Sequence, residues 1–198
     1  MSILDELNEE QRKAAEKIDG PVLILAGAGS GKTRTVTYRI AHMIKEKGIS
    51  PLNIMALTFT NKAAKEMKER AEALIGPDAN DLVVSTFHSF SVRLLKTYSD
   101  RIGYGRNFNI YDVDDQKSII TKIKKELNIK NDEVSPAKIA NRISKLKEQG
   151  IGIEELEEQV DTRIYSNRIF RDIYKKYDET LKANNAMDFS DLLLNAKR

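Results

Sequence analysis

The segment PVLILAGAGSGKTRTV, Pro21 to Val36, constrains this chain more than any other. An apolar run gives way to Ala26-Gly27-Ala28-Gly29-Ser30-Gly31, which leaves almost no side chain between a ligand and the peptide N–H groups. A surface that offers many N–H donors and little else suits a phosphate chain. Gly31, Lys32 and Thr33 fit the end of the pattern G-x-x-x-x-G-K-[ST], in which the lysine reaches the outer phosphates and the hydroxyl holds Mg²⁺. Ala26 stands where the pattern has its first glycine, and a methyl group is tolerable at a strand end. The ligand implied is a nucleoside triphosphate with Mg²⁺, the metal bound through Thr33.

Around this loop, short β-rich runs alternate with helical ones. VLILA (22–26) precedes a helix over 32–47, NIMALTF (53–59) precedes one over 62–75, and DLVVSTF (81–87) precedes one from about Ser89. Strand and helix in turn predict βαβ units and a parallel sheet flanked by helices. The carboxyl ends of such strands share one edge, where open α/β sheets bind ligands. GAGSGKT, TNKAA and HSF are therefore expected to converge there.

From about Arg101 the pattern turns nearly all helical. Helices are expected over 114–127, over 135–149 from a Ser135-Pro136 start to a Gly150 stop, and over 163–182, where Ile173, Tyr177 and Leu181 form one apolar stripe. In FNIYDVDD (108–115), Asn109 and Tyr111 interrupt what a buried strand needs, so its acids read as helix caps. No acid is then left to hold Mg²⁺ and orient water. The chain reads as part of a longer protein.

Composition narrows the class. The 198 residues contain no cysteine, which excludes disulfides and thiolate metal sites. The opening MSILDELNEE is acidic where a secretory signal is basic and then apolar, and the apolar run at 22–26 falls far short of the roughly 20 residues that span a bilayer. A cytoplasmic protein without membrane contact is expected. Residues 1–92 balance 12 basic against 12 acidic side chains, while 93–198 hold 21 against 18. That excess is too small to argue nucleic-acid binding by itself.

Six segments in order, LNEEQRKAA (7–15), AGAGSGKTRT (26–35), ALTFTNKAAKEM (56–67), VSTFHSFSVRLL (84–95), FNIYDVDDQ (108–116) and NAMDFSDLLL (185–194), resemble the N-terminal part of superfamily 1 DNA helicases of the UvrD/PcrA/Rep type. The resemblance implies a partial RecA-like phosphate-loop domain in residues 1–92, an inserted all-helical subdomain in 93–187, and a return toward the motor domain in 188–198. It implies ATP and Mg²⁺ as cofactors, and single-stranded DNA and a duplex junction as partners. The whole protein would unwind DNA, 3′ to 5′, in repair or replication. The family's DEFQD-type acidic segment and its second motor domain are not in this sequence.

The resemblance also assigns roles to residues that have plainer readings. Gln11 stands at capping-box spacing from Asn8, and the family uses this glutamine on the adenine edge. Arg34 is a helix charge or a stacking partner of adenine. Ala26, Gly27, Ala28, Gly29, Ser30, Gly31, Lys32 and Thr33 wrap the phosphates. Phe59 is a core side chain or a base-stacking one. Thr58, Thr60 and Asn61 cap a helix or hold a DNA phosphate. Thr86, Phe87 and His88 would line the DNA groove, and MDF (187–189) either touches DNA or supplies Asp188 as an N-cap. His42 reads as structural. The alternative from another class is a complete small phosphate-loop kinase whose helical region is a substrate lid.

Overall fold

A computed structural model describes residues 2–129, 135–159, 161 and 163–198. The chain divides into two compact units, Met1–Phe87 and His88–Arg198.

In the first unit a 3-10 turn (Ile3–Glu6) leads to helix α1 (Glu9–Glu16). Helix α2 (Lys32–Lys45) leaves the phosphate loop; strand β1 (Met55–Thr58), helix α3 (Asn61–Ile75) and strand β2 (Val83–Thr86) follow. β1 and β2 pair in parallel, in a register that sets Met55 opposite Val83 and Thr58 opposite Thr86. Parallel neighbours need a crossover, and α3 supplies it. The core gathers Ile40, Ala41 and Ile44 of α2, Ile54 and Ala56, and Met67, Ala71 and Ile75 of α3. The spacing of these residues on α2 and α3 is that of one helical face turned inward.

Residues 22–26 correct the expectation made of them. They form no strand, and Leu23 and Leu25 are exposed. A strand exists only where a neighbour completes its ladder of hydrogen bonds. Among the described residues the sheets are β1 with β2 and β3 with β4, and none includes 22–26.

The second unit is helical around a small sheet. Its elements are α4, which starts at the boundary (Phe87–Tyr98), β3 (Asn109–Tyr111), α5 (Val113–Glu126), α6 (Pro136–Glu148), α7 (Ile153–Gln159), α8 (Tyr165–Ala183), β4 (Ala186–Asp188) and α9 (Phe189–Lys197). Ile120 and Ile123 of α5, Ile139 and Ile143 of α6, Leu156 of α7, and Phe170, Ile173, Tyr174, Tyr177 and Leu181 of α8 form its main core. The expected stripe on the last long helix is thus its buried face. Asp112 caps α5, accepting the N–H groups of Asp114 (2.8 Å) and Asp115 (2.9 Å), and these bonds hold its carboxyl below the usual range. Ser135 likewise accepts the N–H of Lys138 at 3.2 Å.

The all-helical expectation for this region needs one amendment. β3 and β4 pair in parallel, Asn109 opposite Ala186 and Tyr111 opposite Asp188. Asn109 and Tyr111, which interrupt the apolar pattern, are tolerated because among the described residues this strand pairs with β4 alone and Asn109 stays exposed.

Candidate nucleotide and nucleic-acid sites

Glycine at position 31 carries the geometry of the phosphate loop. Gly31 is the N-cap residue of α2 and lies in the left-handed region, φ 84°. A Cβ there would also stand 2.7 Å from Nε2 of Gln11. With no side chain at the cap, none accepts the first N–H groups of α2, so the helix offers donors and the positive end of its dipole to an anion. Ser30 folds its hydroxyl back onto the carbonyl of Gly27 at 2.7 Å. Lys32 donates through Nζ to the carbonyls of Ala26 (2.8 Å) and Gly27 (2.6 Å) and makes no ion pair among the described residues. Its charge therefore remains available for an anionic ligand. Ala26, Gly27, Ala28, Gly29, Ser30, Lys32 and Thr33 are all exposed.

Gln11 ties the loop to the helix before it. Its N–H is accepted by Asn8 Oδ1 at 2.9 Å and its Oε1 accepts the N–H of Asn8 at 3.3 Å, the reciprocal capping box. Its Nε2 donates to the carbonyl of Ser30 at 3.0 Å. A carboxamide has two donors and two acceptor positions, so one of each is left over. Beside this link lies a cleft of about 510 Å³, lined in part by Asn8, Gln11, Ala26, Ser30 and Lys32.

Arg34 is oriented by the N-terminal turn. Its Nη2 donates to the carbonyl of Glu6 at 3.0 Å, its guanidinium lies 5.2 Å from the Tyr38 ring centre, and the Tyr38 hydroxyl donates to the Glu6 carboxylate. That bond, aided by desolvation, raises the Tyr38 phenol above its usual range. The turn itself is anchored where Glu46 accepts the N–H of Ile3 at 2.6 Å and pairs with His42 Nδ1 at 2.7 Å. His42 is buried, in agreement with a structural role.

The parallel register explains the second cluster. Because Thr58 lies opposite Thr86, the residues that follow leave the same edge of the sheet side by side. Phe59 and Phe87 have ring centroids 5.8 Å apart, tilted by 43°. Phe59 is 93% exposed and Phe87 43% exposed, so Phe59 is not a core side chain. Thr58 and Thr86 are buried beneath them. Thr58 Oγ1 donates to the carbonyl of Thr60 at 3.0 Å, and Thr60 caps α3 by accepting the N–H of Ala63 at 3.1 Å. Asn61, the first residue of α3, is exposed.

The sheet edge thus unites residues 58–61 with 86–87, while residues 22–26 enter no ladder among the described residues, so no strand register relates the phosphate loop to them. His88 belongs to the second unit, where its ring meets that of Phe189 edge-on, centroids 5.9 Å apart at 65°. Of the MDF segment, Asp188 is buried and caps α9 by accepting the N–H of Asp191 at 2.8 Å. Phe189 beside it is 50% exposed. Two features had weak signals in the sequence. Lys147 interrupts the apolar spacing 139, 143, 147 on α6, and Asp188 stands three residues before Asp191, the capping-box spacing.

Among the described residues no group of three or more His, Asp or Glu side chains is placed to hold a metal. Thr33 offers a hydroxyl at the start of α2, which fits an ion that keeps its waters and draws other ligands from phosphate. No helix of the described residues is long and apolar enough to cross a membrane.

Residues 7–198 match the family model of the UvrD/REP helicase N-terminal domain. The chain is 45% identical to the ATP-dependent DNA helicase PcrA of Bacillus subtilis (strain 168) over 192 residues, 97% of this chain and 26% of that protein. It is 44% identical to the PcrA helicases of Staphylococcus epidermidis (strain RP62A) and Staphylococcus aureus (strain Mu50), over 98% of this chain and 26% of each. The chain therefore spans about a quarter of the length of the curated relatives it matches. A domain of this family implies a RecA-like fold, and the match gives no support to a complete small kinase with a helical lid.

Proposed function

Since the chain belongs to the UvrD/REP helicase N-terminal domain family, we propose that it is the ATP- and single-stranded-DNA-binding part of an ATP-dependent DNA helicase that unwinds duplex DNA, 3′ to 5′, in repair or replication. On this reading residues 1–92 begin a RecA-like motor domain, 93–187 form an inserted subdomain and 188–198 return toward the motor. The protein works in the cytoplasm, on single strands and the duplex junction.

In the nucleotide site, the N–H groups of residues 26–31 and of the α2 N-terminus wrap the phosphates. Lys32 turns from the carbonyls of Ala26 and Gly27 to the outer phosphates, and Thr33 holds Mg²⁺ together with the nucleotide. The donor and acceptor left over on Gln11 suit the adenine edge, and the guanidinium of Arg34, steadied by Glu6, suits its face. Bound ATP supplies the free energy of phosphoryl transfer, and the chain's own residues bind and orient it.

In the nucleic-acid site, Phe59 and Phe87 form a stacking platform, with Thr60 and Asn61 at the N-terminus of α3 for a phosphate. Thr58 and Thr86 fix the strand ends that carry the rings. His88, with Phe189 at its edge, offers a further polar and aromatic surface to a single strand.

The observation that carries this reading is the exposed Phe59–Phe87 pair at the end of a parallel sheet on a phosphate-loop chain, since two neighbouring exposed rings suit the stacking of bases. The test is ATP turnover by this chain with and without a single-stranded oligonucleotide, beside binding of a nonhydrolysable analogue. Binding of both ligands with negligible turnover is expected. Brisk turnover indifferent to DNA would overturn the reading.

A further inference from the structure

Three charged side chains are buried together in the second unit. Lys147, 1% exposed, reaches from α6 and places Nζ 2.8 Å from Asp188 Oδ2 and 2.7 Å from Asp191 Oδ1. The Tyr177 hydroxyl donates to the same Asp188 oxygen at 3.0 Å, and the ammonium lies 5.1 Å from the Tyr177 ring centre and 5.8 Å from that of Tyr174. Asp188 and Asp191 meanwhile close a reciprocal capping box over the start of α9, the N–H of Asp188 donating to Asp191 Oδ2 at 3.1 Å.

Burying such a set is poor economy for stability alone. A buried ion pair seldom outperforms a well-packed apolar replacement, and here two carboxylates share one ammonium. Charged groups do supply direction: the ammonium is satisfied in one geometry, whereas an apolar contact tolerates sliding. What the geometry fixes is the β4–α9 junction, because Asp188 ends β4 as the N-cap of α9 and Asp191 lies in the first turn of α9. The side chain between them at the surface is Phe189, half exposed, edge-on to His88.

We infer that Lys147 is a positioning residue for nucleic-acid binding, which acts through Asp188 and Asp191 to hold Phe189 against His88 at the single-strand surface. This rests on the proposed function, and specifically on Phe189 and His88 facing a single strand. Removing Lys147 alone leaves two buried carboxylates without a counter-ion, which is expected to destabilise the region strongly. The informative variant is therefore the neutral triad Lys147→Met, Asp188→Asn, Asp191→Asn, in which asparagine still caps α9.

The experiment is a double-mutant cycle. Dissociation constants for a fluorescein-labelled oligothymidine are measured by anisotropy at one salt concentration for the unaltered chain, the neutral triad, Phe189→Ala, and the two combined, with folded fraction checked by circular dichroism. The expected result is a loss of about five- to tenfold for the neutral triad and a combined variant no weaker than Phe189→Ala, since coupled sites are non-additive. A loss that adds in full to that of Phe189→Ala would mean a merely structural role and overturn the inference. So would a folded neutral triad with unchanged affinity. If Phe189→Ala itself binds normally, the stacking role of Phe189 fails first and the inference falls with it. Should the neutral triad not fold, Lys147→Arg, which keeps the charge and shifts the geometry, takes its place in the same cycle with the same readings.

Discussion

Phe59 and Phe87 lie 28 positions apart in the chain, yet their rings are 5.8 Å apart because the strands before them end in register, Thr58 opposite Thr86. Two adjacent phenylalanines exposed at a sheet edge lose contact with water on binding a planar partner. Phe59→Ala is expected to weaken single-strand affinity by about 1–3 kcal/mol at fixed salt, with Phe87→Ala showing a smaller loss because its ring is already half covered. Fluorescence anisotropy with a short oligonucleotide checks this. Unchanged affinity in a folded Phe59→Ala variant would remove the stacking role.

Lys32 holds its ammonium on two loop carbonyls and has no acidic partner among the described residues. Lys32→Ala is expected to reduce nucleotide affinity on the order of tenfold or more, the scale of one lost charge-assisted hydrogen bond. The melting temperature without nucleotide should hardly move, because the side chain is exposed. Titration with a fluorescent ATP analogue, beside a thermal melt, separates the two effects.

Gly31 faces two constraints that differ in origin. Its φ of 84° costs an L residue about 1–2 kcal/mol, and an added methyl would meet Gln11 Nε2 at 2.7 Å. Gly31→Ala should weaken nucleotide binding through both. Because Gln11→Ala itself removes the proposed adenine contact, the comparison is made in that background: there Gly31→Ala should cost less than it does in the unaltered chain, since only the backbone cost remains. No further loss from Gly31→Ala in the Gln11→Ala background would show that the backbone conformation matters little.

Asp191 sits where pH acts. Burial comes first, and together with Asp188 it outweighs the attraction of Lys147, so the carboxyl is pushed up to about 6 from an ordinary value near 4. The groups around it are Lys147 on α6, Asp188 at the cap, Tyr174, Tyr177 and Asp178 on α8, Tyr104, and Arg198 at the end of α9. An acid whose folded value is raised contributes stability that is fully present below the unfolded value and is lost as pH rises through the folded one. The melting temperature of Asp191→Asn relative to the unaltered chain should accordingly move in the variant's favour between pH 4 and pH 7. A difference that stays constant across that window would show that Asp191 does not titrate there.

Much of the local structure was legible in the sequence, because it depends on local chemistry. Gly31, Lys32 and Thr33 announce a phosphate loop through conformational freedom, charge and hydroxyl placed in sequence. Asn8 with Gln11, and Ser135 with Pro136, mark helix starts because capping is decided within four residues. The alternation of apolar runs in 53–59 and 81–87 gave two strands with near-correct bounds for the same reason.

What the chain alone left open is whatever depends on a neighbour distant in sequence. VLILA reads as a strand, yet residues 22–26 form none without a ladder partner. Phe59 reads equally as core or surface until the register of β1 and β2 sets it beside Phe87 in water. Asp188 reads as a DNA contact or a cap, and Lys147 only as a charge out of phase, until α6 packs on α9 and brings an ammonium between two carboxylates. Local propensity and motif chemistry determined the loop, the caps and the helices. Tertiary packing decided burial, pairing and proton affinity, since each of these is a property of the surroundings rather than of the residue.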